Sequence, residues 1–375
     1  MADHITPPGT VTESPLTPPP SDRKASFSVS SVVDVLRSHK KGCGVKPWAD
    51  YLLSPDDYER VLRALDSDSY LKSYVEDKIR FDYDPLRSRL AIRMPTPVHE
   101  IFCANVVHNI MKQLERFEQC NRPEARYAKE IQHFASSRLE LPDQTDDGTT
   151  KYIRREPDAS FGHRLARFPG VIIEVCYAQK ARQINSLADD YILCSDGSVN
   201  VVICLDIEYR ASRKATLSIW RPQVILRDDF KELRACRVVN EHVWPFISRL
   251  TTAYKLQAFR TDDGQPVEPT SLRLMLKDFA TEELTRNCPN LEQEIVLSSE
   301  DLCGFLADAE ARQTAQERQS GSVNRLSPGV RKRRRSETPD GVSSDVEAHP
   351  EDNVRKRSRY ESDYVPSSPS ADSNG

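Results

Sequence analysis

Two apolar runs with a helical stretch between them constrain this chain more than any other feature. Residues 168–177 (FPGVIIEVCY) and 199–207 (VNVVICLDI) are apolar and β-branched at successive positions, as strands covered on both faces are. Between them Ala181, Ile184, Leu187, Ala188, Tyr191 and Ile192 recur at helical spacing, and Gly197 can end that helix. Strand, helix and strand in this order predict a βαβ crossover between neighbouring parallel strands. The expected class is α/β: a mixed sheet with helices on both faces.

Two acids stand out beside these runs. Asp158 follows a proline in YIRREPDASF, a strand or bend, and Glu174 interrupts the first apolar run near its end. Carboxylates on adjacent strands, facing one side, would supply the hard oxygens that a divalent cation needs. The loop FGHRLARFPG leaves room for a hairpin between them. A third acid, Glu100, falls in the first turn of a helix that opens at MPTPVHE, with Thr96 as its cap and Pro97 at its first position. Val98, Ile101, Phe102, Val106, Ile110, Leu114 and Phe117 form one apolar stripe, and Cys103, Ala104, Val107 and Met111 widen it. Such a helix is buried on more than one side, so Glu100, in line with the second stripe, needs a partner or a task. The plain alternative is a turn aspartate and ordinary ion pairs.

Charge is distributed unevenly. The 375 residues carry a net charge of −4, which excludes a globally basic nucleic-acid-binding domain. Yet between Lys151 and Arg182 seven Lys and Arg face three acids. Lys151, Arg154, Arg155, Arg164, Arg167, Lys180 and Arg182 thus gather around the acids, as binding to a phosphate backbone would require. Nine scattered cysteines form no CxxC pair, which suits a reducing compartment. No apolar run is long enough to span a bilayer. His99, His108 and His163 read as packing or surface residues, and Tyr177 and Tyr191 as core or rim aromatics.

The segments PTPVHE, EPDASF, FPGVIIEVCYAQ, LADDYI and VVICLDI, spread over residues 88–220, resemble the PD-(D/E)XK nuclease superfamily, in the divergent form found in many fungal proteins. The resemblance implies a restriction-endonuclease-like fold and Mg²⁺- or Mn²⁺-dependent hydrolysis of DNA. It makes Asp158 and Glu174 the metal ligands and Glu100 the supporting helix carboxylate. The family's lysine stands two residues past the Glu, where this chain has Cys176. Lys180 is a candidate to replace it, because only the position of its ammonium matters, and Gln179 is the other, since divergent members often place a Gln near this point. A chain that kept the fold and lost catalysis, serving as a binding or scaffold module, is the alternative.

The remainder reads as flanking structure. Residues 1–27 are a Pro/Ser-rich arm without apolar period, expected to be disordered. Residues 28–84 are expected to form a helical extension, with a helix beginning at Ser54, and 85–315 the main domain. Residues 129–141 suggest one strand, ATLSIWRP and QVILR a hairpin, SLRLMLKDF an edge strand, and a capping signal at Ser299 a late helix. From 316 the chain is again polar and is expected to be disordered. It holds the basic clusters Arg331, Lys332, Arg333, Arg334 and Arg335, and Arg355, Lys356, Arg357, Ser358 and Arg359. Either cluster suits an import receptor, so a nuclear location is expected, with the cytoplasm as alternative.

Overall fold

The computed structural model describes residues 29–43, 48–145, 147–176, 183–207, 212–227, 229–238, 257–324, 326 and 330–332. Residues 1–320 form one compact unit and 321–375 a second. The expected arm 1–27 and most of the tail lie outside the described residues.

The first unit is mixed α/β, with sheets flanked by helices. Its larger sheet has seven strands: β4 (Ile131–Ala135), β7 (Ala159–His163), β8 (Val171–Cys176), β9 (Val201–Ile207), β10 (Ala215–Leu226), β11 (Lys231–Val238) and β12 (Gln257–Arg260). They run in the order β11-β10-β9-β8-β7-β4, with β12 also against β10. β8 and β9 are parallel and joined through α6 (Ile184–Leu193), so the expected crossover is present. Gly197, at φ +75°, and its N–H bond to the Ile192 carbonyl follow the helix end.

Alternation along β8 and β9 sends their side chains to two cores. Val171, Ile173 and Val175, with Val201, Ile203 and Leu205, share a cluster with α4 (Pro97–Glu118) and α8 (Ser299–Glu317). Ile172, Cys176, Val202 and Cys204 join α6 instead. Thr96 caps α4 as expected, accepting from the His99 N–H. The cap of α8 is Ser298 rather than Ser299, because Ser298 and Asp301 close a reciprocal capping box. At the mouth of β8, Gly170 admits no side chain: a Cβ there would lie 2.4 Å from the Asp278 carbonyl oxygen.

The second sheet departs from expectation. Helices α1 (Val29–Lys40), α2 (Pro55–Asp66) and α3 (Ser69–Lys78) are present, and Ser54 caps α2. Yet the segment is not purely helical. β1 (Trp48–Leu52), β2 (Arg80–Asp84) and β3 (Arg89–Arg93) join β5 (Leu139–Gln144) and β6 (Thr150–Arg155) in the antiparallel order β1-β3-β2-β6-β5. The expected border at residue 84 therefore falls inside the β2–β3 hairpin. The stretch 129–141, expected as one strand, instead feeds two strands, β4 and β5, in different sheets.

The expected ATLSIWRP/QVILR hairpin is a single strand, β10, whose partner is β11. Pro222 is tolerated because, among the described residues, β10 pairs with β9 only as far as Trp220. β13 (Ser271–Met275) pairs with β14 (Glu294–Ser298) in a separate two-stranded sheet, and Leu276–Phe279 is a 3-10 turn. Short helices α5 (Glu124–Ala128) and α7 (Glu282–Thr285) complete the unit. The expected tail start, residue 316, lies in the last turn of α8.

Candidate active site

The register of β7 against β8 pairs Ala159 with Ile173 and Ser160 with Ile172. Asp158 immediately precedes this ladder and Glu174 immediately follows it on β8, and Arg93 Nη1 reaches both carboxylates. Asp158 Oδ2 accepts the Val175 N–H at 2.8 Å, which fixes the carboxylate at the strand end. Glu174 is buried among strand side chains, and its Oε1 accepts the Tyr191 hydroxyl of α6 at 2.8 Å. Both acids are almost fully enclosed, so each needs partners of opposite charge or hydrogen-bond donors.

The partners come from β2 and β3. Phe81 and Tyr83, with Leu90 and Ile92, face helices α1–α3. The alternate residues face the other way: Arg80 pairs across the hairpin with Arg93, and Asp82 with Ala91. Arg93 thereby reaches three carboxylates. Its Nε lies 3.1 Å from Asp82 Oδ2, and its Nη1 lies 3.2 Å from Asp158 Oδ1 and 3.6 Å from Glu174 Oε2. Its Nη2 also donates to the Glu156 carbonyl. Arg80 Nη1 donates to Asp158 Oδ1 at 2.7 Å and Arg80 Nη2 to Glu100 Oε1 at 2.9 Å. His99 Nε2 sits 3.1 Å from Asp158 Oδ2 and 3.2 Å from the Val175 carbonyl oxygen.

Glu100, Asp158 and Glu174 are therefore brought into one network, Glu100 through Arg80. Burial works against a charged Arg93, yet Asp82, Glu174 and Asp158 outweigh it and hold the guanidinium firmly protonated. Burial, with Glu174 beside it, drives the Tyr191 hydroxyl well above its ordinary range. Glu100 titrates below the usual carboxylate range because His99 hydrogen-bonds it and Arg80 lies close.

The donor set suits a hard cation: carboxylate oxygens and a main-chain carbonyl meet at one strand end. Guanidinium groups already contact those oxygens, however. Among the described residues, no set of three or more His, Cys, Asp and Glu side chains is disposed to hold a metal ion.

A second charged cluster adjoins the first. Arg155 pairs with Asp190 of α6 and lies 3.8 Å from Asp84, while Arg87 bonds Asp84 at 2.7 Å and Asp190 at 3.1 Å. A small cavity of about 70 Å³ opens beside them, bordered also by Trp48, Arg89 and Gln183. Arg154 lies over the Phe81 ring and bonds Glu156.

Arg154 and Arg155 were expected on a nucleic-acid face, and there the structure corrects the sequence reading: both are buried and committed to acids. Arg164 and Arg167 are exposed on the β7–β8 loop, the first paired with Glu130 and the second near the Phe168 ring. Gln179, Lys180 and Arg182 lie outside the described residues, as do Arg333, Arg334, Arg335, Arg355, Lys356 and Arg357. Arg331 and Lys332 are exposed. Cys176 is fully buried, with its Sγ 2.9 Å from Cys204 Sγ.

Sequence reasoning missed Arg80, Asp82 and Arg93, and read His99 as a packing or surface residue and Tyr191 as a core or rim aromatic. The available signal was the alternation in RFDYD and RLAIR, which gathers charge on one hairpin face. Alternation alone would turn that face to solvent. No family model matches the chain, and the comparison with curated proteins gives no match. No described helix is long and apolar enough to cross a membrane.

Proposed function

We propose that this protein is a metal-dependent nuclease of the PD-(D/E)XK type acting on DNA, with a restriction-endonuclease-like core. The observation that carries the reading is the convergence of Asp158, just before β7, and Glu174, on β8, on one guanidinium, with Glu100 linked to Asp158 through Arg80. A mixed sheet with a single parallel crossover, α6 on one face and α4 on the other, supports the fold.

Asp158 and Glu174 would hold Mg²⁺ or Mn²⁺, with Glu100 in support. When bound, such an ion activates water and offsets charge on the phosphate. The chain's own residues do the rest. Tyr191 orients the Glu174 carboxylate, and the Val175 N–H orients Asp158. Lys180 or Gln179 steadies charge or water, and Arg164, Arg167 and Arg182 meet the DNA backbone. The basic clusters of the tail engage an import receptor and make the protein nuclear.

A second reading has its own support. The Arg93 guanidinium contacts Asp158 and Glu174 together, and a buried thiol fills the lysine position. A chain in which arginine is the resident cation would be an inactive nuclease fold, serving as a nucleic-acid-binding or scaffold module.

Plasmid nicking separates the two. With Mg²⁺ or Mn²⁺ the wild type is expected to nick supercoiled DNA, with chelator it is not, and Asp158→Ala lowers the rate at least 10²-fold, on the order seen when one polar catalytic group is removed. Absence of metal-dependent nicking in the wild type selects the second reading.

A further inference from the structure

The nuclease reading needs a positive charge where this strand has Cys176, a buried residue whose Sγ lies against Cys204. Two arginines contact Asp158, of which Arg93 also reaches Glu174, and exposure tells them apart. The Arg93 side chain is 6% exposed, and its nitrogens are engaged by Asp82, Asp158, Glu174 and the Glu156 carbonyl. No substrate reaches it. The Arg80 side chain is 18% exposed and bridges outward, from the enclosed Asp158 to Glu100, whose side chain is 49% exposed.

We propose that Arg80 takes the role of the missing strand lysine by contacting the phosphodiester at the Asp158–Glu174 site, and that Arg93 is a positioning residue behind it. The inference rests on the nuclease reading and puts Arg80, in place of Lys180 or Gln179, where that reading needs a positive charge. A guanidinium is a planar fork of donors and matches two non-bridging phosphate oxygens. Its outer contact, to Glu100, is the solvent-facing one, and such contacts are weak enough for an arriving phosphate to displace.

Hydrolysis forms a P–O bond from water and breaks the P–O bond to the leaving nucleotide. One water proton ends on the leaving oxygen and the other passes to solvent. Arg80 offsets charge as it builds on phosphorus-bound oxygen. Arg93, from the opposite position on the hairpin, holds Asp158 and Glu174 at a fixed separation. The competing role for Arg80 is a plug, a guanidinium that neutralises Asp158 and keeps other cations out. The two roles predict opposite results when Arg80 is removed.

The test uses the full chain, supercoiled plasmid and Mn²⁺, with Mn²⁺ binding measured by calorimetry on the same samples. Arg80→Ala is expected to lower kcat on the order of 10²-fold while binding Mn²⁺ at least as tightly as the wild type. Arg80→Lys is expected to recover part of the rate, and Arg80→Gln none of it. If Arg80→Ala is unfolded by circular dichroism, the Lys and Gln variants decide: equal rates overturn the proposal. A wild type that nicks beside an Arg80→Ala variant that nicks as fast or faster overturns the role of Arg80 alone and leaves the nuclease reading standing. A wild type that does not nick removes both.

Discussion

The two faces of the seven-stranded sheet are held by different means. On the α4 side, Val98, Phe102, Val106 and Ile110 share one apolar cluster with Val171, Ile173, Val201 and Ile203. On the α6 side a smaller apolar cluster gives way to paired charges, where Arg93 and Arg155 meet Asp82, Asp158, Glu174 and Asp190. An apolar face asks only for volume and pattern, and many side chains satisfy it. A charged seam asks for named partners, because an unpaired buried charge costs far more than a lost contact. The candidate acids Asp158 and Glu174 lie in the seam, where burial and pairing fix their orientation.

Removing Arg93 gives the largest expected effect. Arg93→Met keeps bulk and leaves Asp82, Asp158 and Glu174 facing one another, so about 3–5 kcal/mol of stability should be lost in urea unfolding. Phe102→Ala on the other face should cost a similar amount, about 3–5 kcal/mol, through its cavity. The two losses differ in what repairs them. Adding Asp82→Asn to Arg93→Met should restore roughly 1 kcal/mol or more, since residues in one ion-pair network couple. Adding it to Phe102→Ala should restore nothing. If Arg93→Met cost under about 1 kcal/mol, as an exposed pair would, the contrast between the faces would fail.

The same contrast explains what could be seen in the sequence. The α4 stripe, its Thr96 cap, the two strands of the crossover and Gly197 all follow from spacing within a few residues. Asp158 and Glu174 were legible because each departs from a local pattern beside a strand. Arg93 and Arg80 were not: they lie 65 and 78 residues from Asp158 in the chain, and nothing within RLAIR or RFDYD says which face of the hairpin turns inward. For the same reason Arg154 and Arg155 looked like a basic face. Their neutralising partners include Glu156 two positions on, but also Asp190, 35 positions away, and a tally of local charge omits such partners. The seam was written in the pairing of two sheets, which no local period encodes.

A smaller effect tests whether the seam depends on hydrogen bonds as well as charge. Tyr191→Phe leaves the volume almost unchanged and removes the donor to Glu174. The loss should be about 1–3 kcal/mol, because a buried acceptor is left unsatisfied. Its pH dependence has a definite sign. Burial, then Glu174, raises the tyrosine pKa above its ordinary 10.0, so the folded state keeps a proton that the unfolded chain releases. The stability from this group is full below pH 10 and falls as pH rises beyond it. Tyr191→Phe should lack that alkaline decline, and an identical decline in both proteins would assign it to other groups.

The smallest expected effect lies where the seam meets solvent. Glu100 contacts Arg80 with its side chain half exposed, so Glu100→Gln should change stability by less than about 1 kcal/mol. His99 and Arg80 hold its pKa below the ordinary 4.5, so its contribution is present above that pH and is lost as pH falls through the lowered folded value. Salt distinguishes this pair from the buried one. At 1 M the screening length shrinks to roughly 3 Å, which should erase the Glu100→Gln difference while leaving the Arg93→Met loss nearly intact. Equal sensitivity to salt would mean that water reaches Arg93, and the inner and outer arginines would then no longer differ in the way their separate roles require.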